Sequence, residues 1–285
     1  MSKVIDIESQ EYPRLLKKIK HPPKQLYYKG NWDSGIFKNC LAVVGSRRMT
    51  TYGKRAAEQL VIEIAAAGIT IVSGFMYGID AVSHRAALTA GGRTIAVMPC
   101  GINIIHPAYQ EKLYSDILEN NGLIVSEFEG DFPPDVWTYP KRNRIVAGLS
   151  NATLIIEAGA KSGSLITANY AKEYERKLFA VPGPITSSNS AGIIQLLKDG
   201  ALIASKARDV LEHYDLENIN LVADRNSSNL GELEKKILSQ LNQEPLEIDM
   251  LARMFEMSSS KISATLSLMQ LQGIISKKGN KYYNC

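Results

Sequence analysis

Three stretches of this chain gather residue types that hold anions. In the first, Gly45-Ser46-Arg47-Arg48 follows the apolar run Leu41-Ala-Val-Val44 and precedes Thr50 and Thr51. A short apolar run bounded by glycine reads as a buried strand of a parallel sheet. Behind it, Ala56, Ala57, Leu60, Val61, Ile64 and Ala65 recur at helical spacing after threonines suited to N-capping. The glycine, serine and arginines are therefore expected in a strand-to-helix turn. Backbone N–H groups and the positive end of a helix favour an anion there, and forked guanidinium donors suit phosphate. Glycine at such a point also simply relieves a tight turn, so this stretch alone leaves both readings open.

The second stretch, Glu157-Ala-Gly-Ala-Lys161-Ser162-Gly163-Ser164-Leu-Ile-Thr167, again sets small and hydroxyl residues between a buried strand and a helix. Two such helix starts on the carboxyl edge of one parallel sheet converge on the crevice where these folds bind ligands. In the third, Lys141, Arg142, Asn143 and Arg144 crowd the start of a helix, against the helix dipole. A local rule broken this way points to an anionic ligand, and Pro140 and Asn143 suggest a positioned loop. Phe132, Trp137 and Tyr139 lie just before; rings among arginines suit single-stranded nucleic acid, although each ring taken singly is expected to pack onto the core.

A further loop, Ser73-Gly74-Phe-Met76-Tyr77-Gly78-Ile-Asp80, opens from the same edge, with His84 one helical turn after Asp80. The pair could hold a metal or move protons, but with no further ligand nearby Asp80 is expected to cap or brace the loop and His84 to pair with it. No metal or cofactor site is expected. Gly45 and Gly53 do not make the dinucleotide fingerprint, Ser73 stands where a ribose-binding acid would be, and there is no Walker A loop.

Apolar strands near 69–73, 93–98, 122–126, 153–156 and 177–181 alternate with helices near 79–90, 107–120, 141–149 and 164–174. This pattern predicts an α/β domain, an extended Rossmann-like parallel sheet with helices on both faces. Residues 1–38 read as an irregular extension with an edge strand at Gln25-Leu-Tyr-Tyr28, and 39–215 as the main domain. A polar, turn-rich linker is expected over 216–229. Over 230–285, three helical stripes and a hairpin turning at Gly279-Asn280 predict a small winged helix. Seven basic against six acidic residues there make it a poor neutraliser of duplex phosphates, so protein contact is as open a reading as DNA contact.

The 285 residues carry a net charge of +4, which permits an anionic partner without demanding one. Cys40, Cys100 and Cys285 suggest neither a disulfide framework nor a zinc cluster. The charged N-terminus and the lack of a long apolar run point to a cytoplasmic protein with no membrane partner.

The series Val43-Val-Gly45-Ser46-Arg47, Ser73-Gly74 through Gly78-Ile-Asp80 with His84, Pro140-x-Arg142-Asn143-Arg144-Ile145, Ser162-Gly163-Ser164-Leu-Ile-Thr167 and Val181-Pro-Gly183 resembles the DNA processing protein A (DprA, or Smf) family. The resemblance covers roughly Tyr12 to Tyr214, and the C-terminal unit resembles the family's winged helix. It implies a non-enzymatic protein that binds single-stranded DNA, dimerises, and loads the RecA recombinase in natural transformation or recombination. Carried onto matching positions, Gly45, Ser46, Arg47, Gly74, Gly78, Arg142, Asn143, Arg144, Ser162, Gly163 and Ser164 would line the DNA pocket, with Arg48, Lys141 and Lys161 beside them. The segment Ile193-Ile194-Gln-Leu196-Leu197 falls where the family dimerises. Two departures stand out: Met76 and Tyr77 replace the usual small and basic residues, and the α-helical domain many members carry first has no counterpart. The rival is a nucleotide phosphoribohydrolase-like enzyme using Glu157, whose family's glycine-rich signature is not found. A third reading, a transcription regulator, rests on the winged helix alone.

Overall fold

The computed structural model describes residues 2–214, 231–241, 243–271 and 274–284, so the expected linker 216–229 lies outside the described residues. Two compact units emerge, Met1–Ile219 and Asn220–Cys285.

In the larger unit the strands β1 (Lys3–Asp6), β2 (Gln25–Gly30), β3 (Cys40–Val44), β4 (Thr70–Gly74), β5 (Thr94–Val97), β6 (Leu123–Ser126), β7 (Ala152–Ile155), β8 (Lys177–Ala180) and β9 (Leu202–Ile203) form one sheet. Their order is β1-β2-β6-β5-β4-β3-β7-β8-β9. From β6 to β9 all neighbours are parallel, whereas β1 and β2 join antiparallel. The sheet is therefore mixed. Gln25–Gly30 is not the edge strand expected, because Lys3–Asp6 pairs outside it.

Strands β3 to β7 are buried on both faces, which is why they read as unbroken apolar runs. Helices α1 (Arg14–Lys17), α5 (Thr138–Gly148), α6 (Ser164–Glu173) and α7 (Ala191–Lys198) cover one face, packing Leu16, Ile145, Ala168 and Ile193 onto Ala42, Val44 and Val97. Helices α3 (Ile79–Thr89) and α4 (Glu111–Glu119) cover part of the other, with Ala81, Leu113 and Ile117 against Ala96 and Ile124. Helices α2 (Thr51–Ala66) and α8 (Ala207–Leu211) complete the unit. Of the expected dimer segment, Ile193 and Leu196 are buried in the core, Ile194 is half-buried, and Leu197 packs against the same core.

Strand order grows one way from β3 to β6 and the other way from β7 to β9. The reversal falls between β3 and β7, and at such a switch point the loops diverge and open a crevice. Both hydroxyl-rich stretches, after β3 and after β7, sit there.

The smaller unit holds helices Glu232–Leu241, Ile248–Met254 and Ser259–Leu271 and a sheet in the order β10-β12-β11, from β10 (Leu246–Glu247), β11 (Ile275–Lys278) and β12 (Lys281–Asn284). Ile237, Leu251, Ile262, Leu266 and Tyr282 form its core. The hairpin turns at Gly279, whose φ is +60°, a value glycine adopts without strain. This is the winged helix the sequence suggests.

His84 does not pair with Asp80. Fully buried in α3, its ring stitches two strands together: Nε2 lies 2.7 Å from Gly74 O and Nδ1 2.6 Å from Thr94 Oγ1. A carbonyl only accepts, so Nε2 carries the proton, while Thr94 Oγ1 lies within hydrogen-bond distance of both Nδ1 and, at 2.8 Å, Ile71 O. Burial pushes the imidazole down to about 4, from the usual 6.5. Between those values the unfolded chain takes up a proton the folded chain refuses, so stability falls as pH drops from 6.5 to about 4, by roughly 3 kcal/mol. Denaturant midpoints of the wild type and His84→Gln, compared across that interval, should differ in slope, with the variant flatter.

Candidate functional site

The turn after β3 is built around a carboxylate. Thr50 N and Thr50 Oγ1 both donate to Glu157, at 2.8 and 2.6 Å, and Gly53 N donates to Thr50 Oγ1 at 3.1 Å. Thr50 is thus the N-cap of α2, and the buried Glu157 carboxylate, arriving from the end of β7, satisfies the helix start. A Cβ on Gly53 would lie 2.3 Å from that carboxylate, which accounts for glycine inside a first helical turn. The two helix starts are therefore not equivalent: the protein's own carboxylate fills the one at α2. Glu157 is absent from the cleft lining and its oxygens are spent on Thr50.

The start of α6 is open. Gly163 is its N-cap with no side-chain cap, and a Cβ there would meet nothing within 4 Å. Ser162 Oγ lies 2.7 Å from Ser164 Oγ and accepts from Ser164 N at 3.3 Å. Lys161 is exposed beside them. Asn143 Nδ2 donates to Gly163 O at 3.3 Å, tying α5 to this turn.

These loops enclose an open cleft of about 600 Å³ at the switch point. Of the sequence-predicted residues it brings together Gly45, Ser46, Arg47, Arg48, Gly74, Arg142, Asn143, Lys161, Ser162, Gly163 and Ser164. Arg47 lies over the rings of Tyr139 and Tyr77, at 4.9 and 6.0 Å from their centroids. Arg47, Arg48 and Lys161 make no ion pair within 4 Å among the described residues, and of the cleft's lining only Asp80 sets a carboxylate against these three cations, acting on Arg47.

Arg142 differs. It is only 4% exposed and donates to Val97 O and, at 3.1 Å, to Asn143 Oδ1. Asp80 lies 4.0 Å away. Burial pushes the Asp80 carboxyl up, and Arg142 and Arg47 pull it back. A Cβ on Gly74 would lie within 2.5 Å of both Asp80 and Arg142, so glycine at the end of β4 is what lets this pair meet. Asp80 braces the loop as expected, but its partner is Arg142.

Three predicted residues lie outside the cleft. Gly78, at φ +84°, backs onto the Ser46–Arg47 backbone, where a Cβ would meet Ser46 O at 2.4 Å. Lys141 and Arg144 turn to Glu127, Lys141 at 3.2 Å, and Lys141 also lies over the rings of Phe128 and Trp137. These residues are helical, not a loop, because α5 begins at Thr138 and proline is tolerated in a first turn. Phe132 stacks on Phe128 and Trp137 meets both edge-on in a surface cluster, while Tyr139 alone of the three enters the cleft and bonds His106 at 2.8 Å. Sequence reasoning missed Asn189, which lines the cleft and donates to Arg48 O at 2.7 Å. Its only signal is the Val181-Pro-Gly183 turn that carries the chain back from β8.

No group of three or more His, Cys, Asp or Glu side chains among the described residues could hold a metal. No helix there is long and apolar enough to cross a membrane. Glu157→Ala should lower stability by about 2 kcal/mol, the scale of a lost cap plus charge-assisted hydrogen bonds, with Glu157→Gln intermediate; thermal melts check both.

Comparison with known proteins shows the family of the chain. The model of the family described as DNA recombination-mediator protein A matches residues 3–215, and that of the DprA winged helix domain matches 222–280. Protein Smf of Escherichia coli (strain K12) is 41% identical over 210 residues, 74% of this chain and 56% of the relative, so the chain spans little more than half of that protein. Among solved structures, DNA processing protein A of Streptococcus pneumoniae superposes with a TM-score of 0.71 at 36% identity, over 76% of this chain and 75% of the other. DNA processing protein A of Helicobacter pylori, described for its single-stranded DNA binding mode, gives 0.66 at 33% identity, over 74% of this chain and 94% of the other. With matches that run from the first strand through the winged helix, the chain belongs to the DNA recombination-mediator protein A family.

Proposed function

We propose that the cleft binds single-stranded DNA, and that the protein shields incoming DNA and loads RecA recombinase onto it in natural transformation or recombination, acting as a homodimer. The observation that carries the reading is the set of cations without an ion pair, Arg47, Arg48 and Lys161, around the open start of α6 and the rings of Tyr77 and Tyr139. Cations track a phosphate backbone while rings take the faces of unpaired bases. The relative from Helicobacter pylori described for single-stranded DNA binding supports the same reading. The role is binding, not catalysis: Glu157, the carboxylate the rival enzyme needs, is engaged as a helix cap.

Anisotropy of a labelled single-stranded oligonucleotide, titrated at several salt concentrations with unlabelled duplex as competitor, tests the reading. Arg47→Ala should weaken binding about tenfold and reduce the salt slope by about 0.7, the value for one lost phosphate contact on a single strand. Unchanged affinity in both Arg47→Ala and Lys161→Ala, or ready displacement by duplex, would remove this site. RecA filament assembly on protein-coated single strands, with and without the chain, tests the loading step, and light scattering tests the dimer.

A further inference from the structure

The two helices that line the cleft, α5 and α6, also wall a second cavity. Pro140 and Asn143 of α5, with Ser164 and Thr167 of α6, line the main cleft. One residue on from each of these in α5, Lys141 and Arg144, and one and two turns beyond Thr167 at the end of α6, Tyr170 and Tyr174, wall the second cavity of about 440 Å³, closed by Lys20 and His21. Thr167 and Tyr174 are seven residues apart on α6, about 10 Å along its axis. That is roughly three nucleotide steps at the ~3.4 Å spacing of a stacked strand.

Two observations mark this cavity as a site. Arg144 is only 7% exposed, and although one of its terminal nitrogens meets Glu127, its Nη1 is buried with no hydrogen-bond partner among the described residues. A buried donor left unpaired is costly and rare, and a ligand oxygen would satisfy it. Above it, the rings of Tyr170 and Tyr174 stack nearly parallel, 19° apart with centroids at 5.7 Å. The charges do not cancel either. Glu127 is shared between Lys141 and Arg144, and Glu173 is 3.7 Å from Lys20, so three cations meet two carboxylates.

We propose that this cavity is a second nucleotide-binding site on the path of the same strand, taking a backbone phosphodiester at Arg144 Nη1 and Lys20 and a base on Tyr170. It rests on the single-strand reading of the main cleft and lengthens its footprint. Lys20 is exposed and Tyr170 half-buried, so both can be replaced without opening the core.

The test measures affinity of the full chain for oligothymidylates of about 4 to about 16 nucleotides, the range of single-strand site sizes. Wild type, Tyr170→Ala and Lys20→Ala are compared, each with a thermal melt to establish folding. In the wild type, affinity should climb with length and then level off. Each variant should lose about tenfold at the plateau and reach it about three nucleotides sooner. A length profile identical in the wild type and in both folded variants overturns the second site and leaves the main cleft standing. No binding by the wild type at any length overturns both. The phosphate could also come from a free nucleotide: if thymidine monophosphate abolishes the length dependence at concentrations that leave the shortest oligonucleotide bound, the cavity serves free nucleotides and the strand path is wrong.

Discussion

A guanidinium buried under the carboxyl edge of the sheet holds the site in shape. Arg142 rises from α5, reaches the end of β5 through Val97 O, and sits against Asp80 at the start of α3, in space left by the missing side chain of Gly74. A charge this deep is tolerable only with its opposite beside it and its donors satisfied; either partner alone would be far costlier than an apolar pair. The pair couples β4, β5, α3 and α5. The loops carrying the cleft's cations follow β3 and β7 and are tied to α3 and α5 through Ile79 N on Ser46 O and Asn143 Nδ2 on Gly163 O, so what looks like a binding arginine is first a fastening, and the cations meeting solvent are its neighbours Arg47, Arg48 and Lys161.

A similar division governs the two helix starts. At α2 the positive end is neutralised from within by Glu157, which locks the turn after β3 to the end of β7 across the switch point. At α6 no carboxylate intrudes, and the turn of Ser162, Gly163 and Ser164 is held by its own bonds, Ser162 N to Gly159 O and Ser164 N to Ser162 Oγ, with open space beside Gly163. One electrostatic feature thus occurs twice, braced from within at α2 and left without a carboxylate at α6.

Much of this was legible in the residues, and the parts that were not share a cause. The parallel core and the winged helix announce themselves through local period: unbroken apolar runs, 3.6-residue stripes and a Gly-Asn turn. The stretches after β3 and β7 could be placed together because parallel topology puts all such turns on one edge. Long-range pairing is invisible to local period, which is why β2 looked like an edge and β1 was overlooked. Lys141, Arg142, Asn143 and Arg144 read as one basic cluster, yet successive helical residues point about 100° apart. Asn143 meets the main cleft, Lys141 and Arg144 share Glu127, and Arg142 goes inward. Likewise Glu157 offered a lone carboxylate in sequence, and only the approach of Gly53 and Thr50 shows it to be a cap.

The pairing of the first strands sets the order in which the chain can assemble. Tyr28 of β2 lies opposite Val125 of β6, about a hundred residues later, and among the described strands β1 pairs with β2 alone. During synthesis β3, β4 and β5 can zip in succession as each crossover helix emerges, while β2 waits for β6. Until then the N-terminal strands are unpaired edges on a nascent chain, the condition in which strands find wrong partners. The two strands there are only four and six residues long, which limits the edge they present before β6 is made.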